Sequence, residues 1–371
     1  MLLWPAIGLT QPYLPDDDQL MLVDIPAEVQ RLRSSQSTQI PLVQARPMAE
    51  LLLRQYRQSG DPRQLGRAQA LLQPWLDRPD TAPSTALLGA QLAQAGHDFA
   101  YAQQLLMQVL QAKPNNPQAH LELANILRVQ GQFAQAAEAC AGLNGADTTY
   151  IRAVCTHSMA SLQGQLDSAW QQLNALRPQT ITQPAAIQSW FWSEWVDMAQ
   201  RRGDVASLKQ GWSSIPSQHL RDGQLLHQFL DWLISQQQWL TILELTEPEN
   251  TDASTNPAIL VPRFLALDAL KDPQAKPVSE QLITLWRALQ TRPASQRHGR
   301  EEARFWLAVG EAQKALDAAW SHWQNQREAA DTLVLAQAAV AAEDDAALNQ
   351  LQSWLQSTGY EDRRLPSRVQ P

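Results

Sequence analysis

Leu65, Phe99 and Phe133 follow one another at 34-residue steps, and Ala68, Ala102 and Ala136 keep the same step three residues behind them. A period of that length marks a helix-turn-helix unit copied along the chain, and one such unit cannot bury its apolar face without neighbours. The stretch from Pro117 to Leu143 is the best-formed copy. Ala119, Leu121, Leu123, Ala124, Ile126 and Leu127 recur at helical spacing on its first helix. Gly131 ends that helix, where a left-handed residue is commonly needed. A second helix starts near Phe133 and runs through Ala136, Ala137 and Cys140, its small side chains allowing a close crossing. Pro114-Asn115-Asn116-Pro117 stops one unit and starts the next.

These residues resemble the tetratricopeptide repeat family. Phe99, Ala102 and Pro114 fall on that motif's aromatic, second-helix alanine and terminal proline. Leu123, Ala124, Gly131, Phe133 and Ala136 match the next copy, whereas His120 departs from the usual aromatic. The resemblance is clear over 65–145 and degenerates beyond. It implies an all-α, right-handed superhelical solenoid of antiparallel helix pairs, with a concave groove that takes peptides or proteins.

Spacing carries the degenerate copies further. Gly164, Leu166 and Ala169 lie 33 residues after Gly131, Phe133 and Ala136. Gly203, Val205 and Leu208 open another second helix, as do Trp239 with Ile242, Ala312 with Ala315, and Ala346 with Asn349. Asn256–Leu270 and Val278–Leu289 read as one more pair. The count is about eight pairs, enough for a continuous core. Four regions follow: 1–46 as an irregular tail or cap, with at most one short helix around Pro26–Arg33; 47–176 as regular repeats; 177–355 as degenerate repeats of the same solenoid; and 356–371 as a C-terminal tail.

The net charge is −8 and the pI near 5.4, which argues against nucleic acid as a general partner because phosphate neutralisation needs a basic surface. No run approaches the ~20 apolar residues of a membrane span. Met1–Leu9 is apolar, and Ala6-Ile7-Gly8 has the small-x-small form of a cleavage site. It reads either as the remnant of an export signal or as a hydrophobic segment packed on the first helices. The two cysteines favour the exported, periplasmic reading over a cytoplasmic one. Cys140 and Cys155 flank the Asn144–Thr149 turn of an antiparallel pair and so face each other. A disulfide there closes a loop of about 15 residues and points to an oxidising compartment; the alternative is two buried thiols.

Catalytic signatures are scarce, with no P-loop, GxGxxG, GxSxG or HExxH, and no cofactor or metal site is expected. The string His298-x-x-Glu301-Glu302 has a spacing that presents two ligands on one helix face, but the nearby Arg297, Arg300 and Arg304 make an ion-pair network the simpler account. Fourteen tryptophans are scattered along the chain. Trp195, Trp232, Trp286 and Trp306 read as core, and Trp190 or Trp192 as a groove residue, since those two cannot share a helix face. The Arg300–Phe305 and His322–Glu328 stretches, with Asp331, Asp61-Pro62-Arg63 and His97-Asp98-Phe99, are similar to a group of long bacterial tetratricopeptide proteins. That likeness implies no activity.

Two functional readings result. One is a non-enzymatic scaffold holding a protein or peptide in the groove. The family places first helices along that groove, so Gln91, Gln94, Asn125, Arg128, Trp190, Asp197 and Asp231 are its candidate residues. Gln91 and Gln94 precede Asn125 and Arg128 by 34 residues, so the two pairs are expected side by side on the concave wall, without bridging helices. The other reading is a metal-handling accessory or enzyme built on the polar cluster at 297–331. The oligomeric state is left open.

Overall fold

Asn116 accepts a hydrogen bond from the Ala119 amide at 3.0 Å, and Pro117 occupies the first turn, where its missing N–H costs nothing. The helix they start buries Ala119, Ala124, Ile126, Leu127 and Val129. Gly131 then turns the chain with φ at 75°. The same device recurs at His97, Gly164, Gly203, Gln237, Lys271, Gly310 and Glu343, all with positive φ and all within a turn between paired helices. The left-handed residue of the first of these is therefore His97 and not the neighbouring Gly96, whose φ is −88°.

The computed structural model describes residues 40–59, 61–78, 80–221, 223–247, 256–289 and 298–369. Nine helix pairs lie among them: α1 (Leu42–Ser59) with α2 (Pro62–Leu76), α3 (Pro83–Ala95) with α4 (Phe99–Ala112), and α5 (Pro117–Val129) with α6 (Phe133–Ala141). Next come α7 (Thr149–Ser161) with α8 (Leu166–Ala175), a short α9 (Arg177–Thr180), and α10 (Ala185–Arg201) with α11 (Val205–Ser214). The last are α12 (Gly223–Ser235) with α13 (Trp239–Leu245), α14 (Pro257–Ala269) with α15 (Ala275–Leu289), α16 (Gly299–Ala308) with α17 (Ala312–Trp323), and α18 (Ala329–Ala341) with α19 (Asp345–Thr358). No strand occurs among the described residues. The fold is an all-α solenoid of stacked pairs, one pair longer than the sequence count. Helix α1 begins at Leu42, inside the stretch expected to be tail. The expected helix at Pro26–Arg33 lies outside the described residues.

The array closes on itself. One hydrophobic cluster joins Leu127, Phe133, Cys140 and Leu162 from the middle repeats to Trp323, Leu335, Leu351, Tyr360 and Val369 from the C-terminal ones. Phe133 stacks on Tyr360 with centroids 6.3 Å apart and meets Trp354 edge-on at 5.9 Å. The C-terminal portion tracks the turns of successive repeats. Gln326 bonds His97 at 3.0 Å, and the Arg327 amide donates to the Val129 carbonyl at 2.6 Å. Farther along, Gly359 abuts Gly164, and the Arg363 amide donates to the Arg201 carbonyl at 2.7 Å. The described part of the C-terminal tail, 356–369, is thus packed against the array. Tyr360, Leu365 and Val369 are all under 5% exposed, and each large apolar side chain buried this way contributes about 1.5–3 kcal/mol.

Cys140 on α6 and Cys155 on α7 are joined by a disulfide, with a Cα separation of 5.7 Å. Both cysteines are fully buried. The bridge pins the second helix of one repeat to the first helix of the next.

Candidate functional site

First helices from five pairs converge where the array closes. Arg128 from α5, Asp197 from α10, Asp231 from α12, Arg300 from α16 and Glu328 before α18 line one polar cavity. Its free volume is about 30 Å³, room for one or two waters and too little for a peptide backbone.

Every charge at this hub is answered. Arg128 Nη2 donates to Glu328 Oε1 at 3.1 Å and to Asn125 Oδ1 at 3.2 Å. Arg201, fully buried, donates to Asp197 at 2.8 Å and to the Ser161 carbonyl at 2.8 Å. Arg304 pairs with Asp231. Arg300 grips Glu301 through Nε at 2.9 Å and Nη2 at 2.7 Å, and stands 3.8 Å from Asp331. Glu194 is buried and accepts from Ser158 and from Trp190 Nε1, the latter at 3.1 Å.

The fields follow from that geometry. Burial alone would lower the Arg128 pKa, but Glu194, Glu328 and Asp197 outweigh it and hold the guanidinium charged. Burial would likewise raise Glu301, yet Arg300 beside it holds the carboxyl far below the ordinary range. Glu328 moves the other way: burial pushes its carboxyl up, and Asp331 and Asp197 add to the push against the pull of Arg128. His322, whose Nε2 lies 3.3 Å from Asp331, is raised because that carboxylate outweighs the effect of burial.

The sequence-derived residues are thus brought together in part. Arg128, Asp197 and Asp231 share the cavity. The expectation that Arg128 avoids bridging is corrected, since it ties α5 to the start of α18. Gln91 also bridges, donating to Glu122 of α5 at 2.9 Å. Gln94 and Asn125 are half-buried. Trp190 is half-buried and packs between two core clusters. Trp192, the other groove candidate, is only 7% exposed and stacks edge-on against Phe191 and Trp195. Trp195 and Trp286 are core, as expected, while Trp232 and Trp306 are partly buried at its edge.

His298 sits before α16 with φ at 50°, off the helix that was expected to present it beside Glu301. Among the described residues no group of three or more His, Cys, Asp and Glu side chains is placed to hold a metal ion. Among the lining residues missed from sequence were Glu194, His227 and Gln228. Only the tryptophans around Glu194 hinted that its carboxylate faces inward.

The tetratricopeptide repeat model matches residues 92–155, which span α4 to α6 and most of α7. That stretch carries tetratricopeptide repeats. No curated protein matches it. Among solved structures, the human IFIT1 dimer with m7Gppp-AAAA is similar at 12% identity and a TM-score of 0.36, covering 83% of this chain and 72% of that one. Within the matched tetratricopeptide stretch, Asp98 caps α4 by accepting from the Tyr101 amide at 3.1 Å, which accounts for one of the polar turn residues. No described helix is long and apolar enough to cross a membrane.

Proposed function

We propose that the chain is a non-enzymatic scaffold that binds a protein or peptide segment along the inner wall of its first repeats. The tetratricopeptide match at 92–155 carries this reading, because repeats of this family act by presenting side chains from successive first helices. Gln94 offers its amide on α3, and beside it Gln91 Oε1 and Asn125 Nδ2, the ends of those amides not engaged with Glu122 and Arg128, are able to hold an extended backbone with little regard to its sequence. Arg128, Trp190, Asp197 and Asp231 form the closed end of that wall, where the ionic hub fixes the curvature of the array. The buried Cys140–Cys155 bridge supports an oxidising compartment as the place of action.

The test is affinity capture from the source organism with the full chain and with the Gln94→Ala variant, which leaves the Gln91–Glu122 hydrogen bond in place. A protein retained by the wild type and lost by the variant, at unchanged melting temperature, is the expected result. Equal capture by both proteins, or recovery of nucleic acid in place of protein, overturns the assignment.

A further inference from the structure

Between α6 and α7 the chain runs Asn144-Gly145-Ala146-Asp147, a fully exposed stretch within the loop that the Cys140–Cys155 bridge closes. The frame around it is held. The Thr148 amide donates to the Gly145 carbonyl at 3.1 Å, and the hydroxyl of buried Thr148 lies 2.7 Å from that carbonyl and 3.0 Å from that of Leu143. The two groups at the Asn144–Gly145 junction are left to water. Neither the Asn144 side-chain amide nor the Gly145 N–H has a hydrogen-bond partner among the described residues.

Asparagine is thermolabile because its side-chain carbonyl carbon can close a five-membered ring with the next residue's amide nitrogen. Glycine in that next position has no Cβ to shield the nitrogen and lets the backbone rotate into line. The other described asparagines each lack a requirement. Asn116 and Asn256 precede prolines, which have no N–H. Asn115 and Asn325 precede amides held by the Lys113 and His322 carbonyls, both at 3.0 Å. Asn125, Asn174 and Asn349 lie inside helices.

We propose that Asn144 is a site of spontaneous modification, losing its side-chain nitrogen as ammonia through a cyclic imide with Gly145. The Gly145 nitrogen, its proton passed to hydroxide, bonds to Asn144 Cγ. The Cγ–Nδ2 bond then breaks, and the leaving nitrogen takes a proton from water. Water next opens the ring. Cleavage between Cγ and the Gly145 nitrogen gives aspartate, and cleavage between the Asn144 backbone carbonyl carbon and that nitrogen gives isoaspartate. One water is consumed and one ammonia released, with no oxidation or reduction. Either product places a new carboxylate on the loop. The isoaspartyl form also adds a carbon to the main chain between the Leu143 and Gly145 carbonyls, while the disulfide keeps α6 and α7 joined. The reaction is independent of what the scaffold binds.

Ageing the full chain at neutral pH and physiological temperature tests this, with reduction, proteolysis and mass spectrometry of the fragments, and isoaspartate read by enzymatic methylation of its carboxyl group. Conversion of Asn144 to a mixture of isoaspartate and aspartate, ahead of every other described asparagine, is expected. Gly145 has φ at −79° and an added Cβ would sit 3.4 Å from Thr148, so the fold accepts Gly145→Ala. That variant should slow conversion about tenfold or more at unchanged melting temperature. Asn144→Gln, whose longer side chain cannot close the five-membered ring, should keep its amide. Conversion to aspartate alone would mean direct hydrolysis and overturns the proposal, as would an unchanged rate in Gly145→Ala or an Asn144 that stays intact.

Discussion

Arg128 and Glu328 lie 200 residues apart in sequence and 3.1 Å apart in space. That contact closes the solenoid, and it sets two partners with opposite demands against each other. Arg128 needs an anion, whereas burial and the neighbouring Asp331 and Asp197 already press Glu328 towards its protonated form.

Substituting the two partners should therefore give unequal results. Arg128→Met leaves Glu328 facing other carboxylates and should cost about 2 kcal/mol, less than the ~3–5 kcal/mol of a fully enclosed pair, because the two side chains stay 16% and 21% exposed. A carboxyl whose folded pKa is raised contributes stability below its unfolded pKa and loses it as the pH rises through the folded value. Glu328→Gln should accordingly be neutral or stabilising by up to about 1 kcal/mol at pH 7, with its advantage over wild type shrinking towards pH 5. Urea midpoints at both pH values decide it, and a loss in the Gln variant as large as in the Met variant would show that the carboxylate charge is required.

The turns offer a test with a predictable sign. Gln237 and Glu343 hold φ of 54° and 53° on the exposed surface, in the place that Gly131, Gly164 and Gly203 fill elsewhere. A left-handed residue with a Cβ is strained by ~1–2 kcal/mol, part of which glycine's greater unfolded freedom offsets. Gln237→Gly and Glu343→Gly should each stabilise by about 0.5–1 kcal/mol. Gly131→Ala should do the reverse, since its φ is 75° and an added Cβ would sit 2.9 Å from Arg327. Glycine variants that melt lower than wild type would show that these side chains hold contacts outweighing the strain.

Local features were legible in the sequence because local chemistry writes them. Gly131, Phe133 and Ala136 recur with the period, and the helix starts at Val205, Trp239 and Ala312 follow from the same spacing. The closure was not legible. Arg128, Asp197 and Asp231 have the polarity of groove residues, and a polar helix face looks the same in sequence whether water or an opposite charge from a distant repeat meets it. Nothing periodic links residue 128 to residue 328. The left-handed turn at His97 was hidden by the adjacent Gly96, the residue type that normally takes that conformation.

The disulfide should stabilise mainly by restricting the unfolded chain. A bridge across 15 residues is worth about 3 kcal/mol in the loop-entropy model. Cys140→Ser/Cys155→Ser should lower the melting temperature by several degrees, while native protein should show no titratable thiol. Because both cysteines are buried, reductant should act slowly until mild denaturant is added. Immediate reduction under native conditions would mean that the α6–α7 junction opens on its own.

His97 gives the sharpest dependence on pH. Its Nδ1 accepts from Gln326 at 3.0 Å, so the fold requires the neutral ring. Burial first, then the proximity of His298 and His322, lowers its pKa to about 4, against the smaller opposing pull of Asp331 and Glu301. A free histidine titrates near ~6.5, so between roughly pH 6.5 and 4 the unfolded chain binds a proton that the folded chain refuses. The contribution of His97 to stability is whole above that window and falls as the pH drops through it. Asparagine tolerates the left-handed conformation that His97 adopts at φ 59° and cannot take up the proton. The stability of wild type relative to His97→Asn should decline from pH 6.5 to 4 and stay flat above 7, and the His97 ring resonances should titrate near pH 4. A titration midpoint near 6.5 would mean that the Gln326 contact tolerates the imidazolium, so that acid would leave this end of the closure intact.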